Sequence, residues 1–191
     1  LSGFQYFGME PSLADPSSRI TEALKATRAL IFPIDGVLNG GRIIFDSRGE
    51  ELCTVSVRDA VAIREAVRQG LLVSVFSGRP AEGYRPFLEG LGVRDIRLGG
   101  GEFLDAYEAF REGNGLDDEA CACIGDDVGE VSVLERVGLP VTPINGADWL
   151  RNRVGYISAF EGGRGCVREV VEMILGARGL WPWVEPSAGE G

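Results

Sequence analysis

The sequence predicts an α/β domain built on a mainly parallel sheet, and three observations carry that expectation. Apolar runs of strand length recur at residues 28–34, 71–76, 93–98, 120–124 and 139–141. Segments with helical spacing separate most of them, and that alternation favours parallel strands joined by helical crossovers. Three of the runs lead into polar or acidic loops: Asp35-Gly36, Ser77-Gly78-Arg79 and Gly125-Asp126-Asp127. Loops at the carboxyl ends of parallel strands meet at one crevice, so these loops supply the candidate site residues.

Residues 1–14 mix aromatics, glycine and proline without a sustained period and read as an irregular arm. Asp15-Pro16 offers an N-cap and a first-turn proline for a short helix carrying Ile20, Ala23 and Leu24. The run at 28–34 is the near-continuous apolar stretch of a strand buried on both faces. Residues 40–56 follow as two extended segments joined by a polar turn at Gly49, a candidate β-hairpin. From Asp59 the period becomes helical, with Ile63, Ala66 and Val67 on one face and Gly70 as the stop. After the strand at 71–76 a helix is expected near Pro80, bent or shortened by Pro86, which lacks an amide donor.

Leu104, Tyr107 and Phe110 mark the next helix, and Gly113-Asn114-Gly115 ends it. A helix through Val133, Leu134 and Val137 follows the acidic loop, then the short strand at 139–141, an extended piece at Tyr156-Ile157, and a last helix over about 166–175. The expected organisation is an arm and short helix at 1–27, one domain at 28–175 and a tail at 176–191. Trp181-Pro182-Trp183 in that tail is expensive to leave in water, so it is expected to dock on its own or a neighbouring subunit.

Composition narrows the chemistry. A chain of 191 residues, 45% hydrophobic and 25% charged, is long enough for one well-buried domain and short for two. No apolar run approaches the roughly 20 residues that span a bilayer, and the first residues lack the basic and apolar pattern of a secretory signal; the expectation is a cytoplasmic protein. A formal charge of −10 repels nucleic acid and anionic lipid, so neither is an expected partner. The chain has no histidine, which excludes imidazole acid-base catalysis and His-ligated zinc. Carboxylate, hydroxyl and thiol chemistry remain. Cys53, Cys121, Cys123 and Cys166 are scattered, and Cys121-x-Cys123 is one residue too tight for a CxxC motif, so they read as reduced core residues.

The order of the motifs resembles a known family. Asp35-Gly36-Val37-Leu38 after the first strand, the hairpin, Val57-Arg58-Asp59, Ser77-Gly78-Arg79, Gly125-Asp126-Asp127, Arg136-Val137-Gly138-Leu139 and Gly162-Gly163-Arg164-Gly165 resemble the 3-deoxy-D-manno-octulosonate 8-phosphate phosphatases of the haloacid dehalogenase (HAD) superfamily. The resemblance covers about residues 20–175 and extends to the HAD-like C-terminal module of CMP-sialic acid synthetases. It implies a three-layer, Rossmannoid HAD domain with a hairpin flap at about 40–56 and no large cap domain.

It also implies positions for phosphoryl transfer: a nucleophilic aspartate, a second aspartate two residues on as acid and base, a hydroxyl and a lysine on the phosphate, and acids on magnesium. The acid-base position is Asp35, the phosphate hydroxyl Ser77 with Gly78 and Arg79 beside it, and the magnesium acids Asp126 and Asp127, with Asp35 nearby. Glu130 stands where a further aspartate is usual. Two positions break the pattern. Pro33 occupies the nucleophile position, and Phe103 occupies that of the lysine. Lys25, the single lysine of the chain, lies too early to substitute. Arg79 and Arg164 could attract an anion or sit in salt bridges. Asp35 could instead bond loop amides, Ser77 turn the chain, and Asp126 and Asp127 cap the following helix.

The leading expectation is a protein impaired in phosphatase chemistry, binding magnesium weakly or not at all, and acting as a homo-oligomeric structural, regulatory or binding module. A tetramer through the hairpin and tail is the expected assembly, with an anionic sugar as the candidate ligand. The alternative is an active magnesium-dependent phosphatase of 3-deoxy-octulosonate or nonulosonate phosphates.

Overall fold

The computed structural model describes residues 16–183. Its six strands are all parallel: β1 (Ala29–Pro33), β2 (Leu72–Ser77), β3 (Asp95–Leu98), β4 (Cys121–Ile124), β5 (Leu139–Thr142) and β6 (Tyr156–Ile157). The order across the sheet is β3-β2-β1-β4-β5-β6, so the chain reverses its direction of travel between β1 and β4. A crevice opens at such a switch point. Six helices connect and cover the strands: α1 (Pro16–Ala26), α2 (Val57–Arg68), α3 (Arg85–Gly90), α4 (Phe103–Gly113), α5 (Val131–Leu134) and α6 (Cys166–Ala177).

The sheet is buried on both faces because β1 is apolar at every position. Leu30 and Phe32 point into a layer shared with α2, α3 and α6, which contribute Ile63, Leu88 and Ile174. Ala29 and Ile31 alternate onto the other face, where Phe103, Tyr107 and Phe110 of α4 meet Val133 and Leu134 of α5. Two apolar layers around one sheet make the three-layer α/β architecture expected from the alternation of elements. Helix α1 packs its Leu24 into the first layer. Trp181 packs against that layer beneath the Arg168 guanidinium, 4.7 Å from the ring, while Trp183 is 57% exposed. The Asp15 cap, the arm at 1–14 and the tail beyond 183 lie outside the described residues.

Four expectations need correction. Residues 40–56 do not form two strands: one antiparallel bridge, Phe45 to Glu51, holds a turn flanked by the Leu52 N to Ile44 O bond of 2.8 Å. An isolated ribbon without a third strand has little to stabilise a longer ladder. Pro86 does not bend a helix, because α3 begins at Arg85 and places the proline in its first turn, where no donor is required. The stretch from Pro80 to that point is non-helical apart from a short 3-10 turn, Glu82–Tyr84. Cys53 is exposed, unlike Cys121, Cys123 and Cys166, which are buried.

Asp59 has a role that its position in α2 conceals. Its carboxylate is fully buried and accepts hydrogen bonds from Gly165 N (3.2 Å) and Arg168 N (2.8 Å) at the start of α6. Helix α6 has no side-chain cap of its own, so a residue far away in sequence satisfies its first amides. Burial raises the carboxyl pKa, and these amides oppose the rise.

Candidate functional site

The β1 strand delivers Pro33 to the crevice, after which the chain turns through Asp35 and Gly36. Gly36 has φ +81°, and a Cβ on it would lie 1.8 Å from Asp126 Oδ2. Only glycine permits both this conformation and the close approach of the β4 loop. Asn39 secures the turn: its Oδ1 accepts from Gly36 N (3.1 Å) and Gly41 N (2.9 Å), and its Nδ2 donates to Asp35 Oδ1 at 2.8 Å.

The three loops meet as anticipated. Pro33, Asp35, Ser77, Gly78, Asp126 and Asp127 all line one cavity of about 320 Å³, together with Phe76 and Glu130. Arg79 and Phe103 stand behind that lining, and Arg164 borders a different cavity.

Asp35 is held by side chains, Asn39 and Arg79, rather than by loop amides. Arg79 donates to it twice, Nε to Oδ2 and Nη2 to Oδ1, each at 2.7 Å. The same guanidinium donates to Glu51 of the flap, Nη1 to Oε2 at 2.6 Å and Nη2 to Oε1 at 2.9 Å. Arg79 and Glu51 are 25% and 19% exposed, so this is a partly shielded clamp that fastens the flap to the crevice. The two carboxylates drive the Arg79 pKa further up. Glu51 lay outside the sequence expectations, since nothing in a charged turn indicates which distant arginine will meet it.

Ser77 is buried, its Oγ donating to Arg79 O (2.9 Å) and accepting from Arg79 N (3.3 Å). The hydroxyl therefore shapes the loop that aims Arg79 at Asp35.

The acids after β4 divide the work. Asp127 is exposed and caps the turn that follows, with Oδ1 accepting from Val128 N at 2.8 Å. Glu130 folds back under the loop, Oε2 accepting from Asp126 N and Asp127 N at 3.1 Å each. Burial pushes the Glu130 carboxyl up to about 7, the neighbouring acids adding to the rise while the amides oppose it. Asp126 is pushed up to about 6, chiefly by burial, then by the Asp127 charge and the more distant Asp35. Asp126 does not cap the helix.

Phe103 begins α4 and is 3% exposed. Its ring meets Phe76 edge to face, with centroids 5.2 Å apart. The lysine position of the resemblance thus carries an aromatic packed behind another aromatic that lines the cavity. No lysine is within this lining, and the cation beside Asp35 is the Arg79 guanidinium.

As a magnesium site the donor set is thin. A hard dication needs about six oxygens in octahedral order. Here Pro33 supplies no side-chain oxygen, both Asp35 oxygens are taken by Arg79, and Glu130 is tied to amides. Among the described residues, no group of three or more acids or thiols is spaced to hold a metal ion.

A parallel sheet with this strand order, in which β1 runs into Asp-Gly and β4 into Gly-Asp-Asp over one cavity, defines a HAD-type phosphatase fold. The comparisons with known proteins agree. The 3-deoxy-D-manno-octulosonate 8-phosphate phosphatase of Escherichia coli is 36% identical over 152 residues, covering 80% of this chain and 81% of the relative. The chain belongs to this phosphatase family. The solved enzyme of Yersinia pestis superposes with a TM-score of 0.82 at 31% identity, covering 85% of this chain and 88% of that one. That of Moraxella catarrhalis, solved with magnesium, phosphate and a KDO molecule, gives 0.78 at 28% identity, covering 84% and 92%. No family model matches the chain. No helix among the described residues is long and apolar enough to cross a membrane.

Proposed function

We propose that this member of the family does not form a phosphoaspartyl enzyme and serves as a non-catalytic, homo-oligomeric structural or ligand-binding module. The observation that carries the reading is Pro33 at the end of β1, in the wall of the cavity where the family's nucleophile would stand. The covalent step requires a carboxylate oxygen to attack phosphorus while the leaving alkoxide takes a proton. A pyrrolidine ring has no oxygen lone pair to offer. The residue suited to the proton transfer, Asp35, has both carboxyl oxygens engaged by Arg79, whereas a general acid must present a proton toward the leaving group.

The cavity also lacks a cation to oppose a phosphate. Four acids line it, Asp35, Asp126, Asp127 and Glu130, and the apolar Phe103 replaces the ammonium. The poor donor set argues for weak magnesium binding through Asp126. An oligomeric role is supported by the flap, whose Ile43, Ile44, Phe45 and Leu52 are 43–61% exposed, and by Trp183 at the chain's other end. A homotetramer joined through these surfaces is the assembly we favour.

The test is a phosphatase assay of the purified protein with magnesium, using sugar-acid phosphates and aryl phosphates. No turnover above buffer is expected. Robust turnover that Asp35→Asn abolishes would overturn the proposal. It would favour the second reading, a working phosphatase of 3-deoxy-octulosonate or nonulosonate phosphates, which the names of the E. coli and Y. pestis relatives favour. Light scattering tests the assembly, and a monomer at micromolar concentration would exclude it.

A further inference from the structure

The Gly-Gly-Arg triplet occurs twice, at 40–42 and 162–164. The fold places the two copies against each other. A Cβ on Gly163 would lie 2.6 Å from Gly40 N, and one on Gly40 would lie 2.9 Å from Gly162 O. On Gly162 it would lie 1.8 Å from Gly36 O. The loops therefore touch backbone to backbone, and Gly163 N donates to Val37 O at 2.7 Å to hold them together. Gly40, Gly41 and Gly163 all have positive φ, between +69° and +75°, so these contacts and these turns both require glycine.

Between the triplets lies a polar cavity of about 400 Å³, distinct from the acidic crevice, and both arginines border it. Arg42 is exposed and makes no ion pair among the described residues. Arg164 has only a loose partner in Glu161, at 3.4 Å, with the two side chains 73% and 51% exposed. An ion pair that open contributes little, and an incoming anion can replace it. Asn145, also on the cavity, uses its Oδ1 to accept from Gly162 N at 2.9 Å, which leaves its amide group to donate. Two guanidinium groups against one carboxylate give this cavity a net positive lining in a chain of formal charge −10. The neighbouring crevice has the opposite balance.

We propose that the cleft between the twin Gly-Gly-Arg loops is a binding site for a small oxyanion-bearing ligand, a carboxylate or a phosphate, gripped by Arg42 and Arg164. The site is built from a rigid glycine framework that fixes where the two arginines leave the backbone. Guanidinium forks suit the planar or tetrahedral oxygens of such groups, and charge-assisted bonds are the stronger class. Glu161 acts as the internal competitor that the ligand displaces. The inference is independent of whether the acidic crevice is catalytic.

Calorimetric titration of the full-length protein with inorganic phosphate and, separately, with D-gluconate tests this. Saturable binding of either probe is expected, and the preferred one shows whether a phosphate or a hydroxy-carboxylate is the ligand class. Arg42→Ala and Arg164→Ala should each weaken it about tenfold. Both side chains are exposed, and circular dichroism checks that each variant folds. Glu161→Gln should tighten binding severalfold by removing the competitor. Arg94→Ala, which removes an exposed arginine just before β3 that borders neither cavity, should leave it unchanged. The proposal fails if neither probe binds at tens of millimolar, if the arginine variants bind as well as wild type, or if Glu161→Gln weakens binding.

Discussion

Replacing Phe103 by lysine would install the residue that the family resemblance expects, and the structure argues that the fold resists it. The side chain is 3% exposed and shares an apolar layer with Phe76, Tyr107 and Phe110. Truncating a buried phenylalanine typically costs about 3–5 kcal/mol, and an edge-to-face aromatic pair contributes about 0.5–1.5 kcal/mol of its own. The lysine stem restores part of the lost contact, but its ammonium must then leave the layer past the Phe76 ring to reach the cavity. Phe103→Lys should therefore lower unfolding stability by about 2–4 kcal/mol, and Phe103→Leu by about 1–1.5 kcal/mol. Urea denaturation followed by circular dichroism at neutral pH measures both. A lysine variant within about 0.5 kcal/mol of wild type would refute the reasoning. In that case the position accommodates a cation readily, and Phe103 is no barrier to phosphate binding.

Further tests address the clamp, the cap and the buried acids. Arg79→Ala leaves Asp35 and Glu51 unpaired and should destabilise the fold by about 1–3 kcal/mol. It should also make residues 40–56 the first site of limited proteolysis, and unchanged cleavage would show that the clamp does not fasten the flap. Asp59→Ala removes the acceptor for Gly165 N and Arg168 N, with an expected loss of about 2–3 kcal/mol; Asp59→Asn should recover part of it in the same thermal melts. The raised carboxyls of Asp126 and Glu130, about 6 and about 7 against ordinary values of 3.8 and 4.5, make the folded state bind protons more tightly than the unfolded chain. Their protonation favours folding below these values, so stability should fall by about 1–3 kcal/mol between pH 5 and pH 8 in chelator. Without histidine, no imidazole titrates in that window. A flat profile would mean that the two acids are better solvated than the structure indicates.

Much of the site was legible because the fold class assigns the loops. Once β1, β2 and β4 are parallel, the residues after Pro33, Ser77 and Ile124 must share one end of the sheet. Periodicity also placed every helix with a sustained apolar face. It failed at the flap, where Gly49 and alternating residues signal a hairpin but a two-stranded ribbon lacks a third strand to complete its pairing. Glu130 carries no such signal: its place four residues beyond Asp126 does not reveal its bonds to the Asp126 and Asp127 amides.

The sequence by itself determined the parallel α/β architecture, the absence of imidazole chemistry, and a proline at 33 and a phenylalanine at 103 where the resemblance expects a nucleophile and a lysine, since each follows from residue type and order along the chain. Tertiary structure alone decided what fills the resulting gaps. It turned Arg79 toward Asp35 and Glu51, buried Phe103 against Phe76, and set two Gly-Gly-Arg loops face to face. The physical reason is that a charge, a ring or a bare backbone acquires its partner only when distant segments are packed together, and local sequence holds no record of that distance.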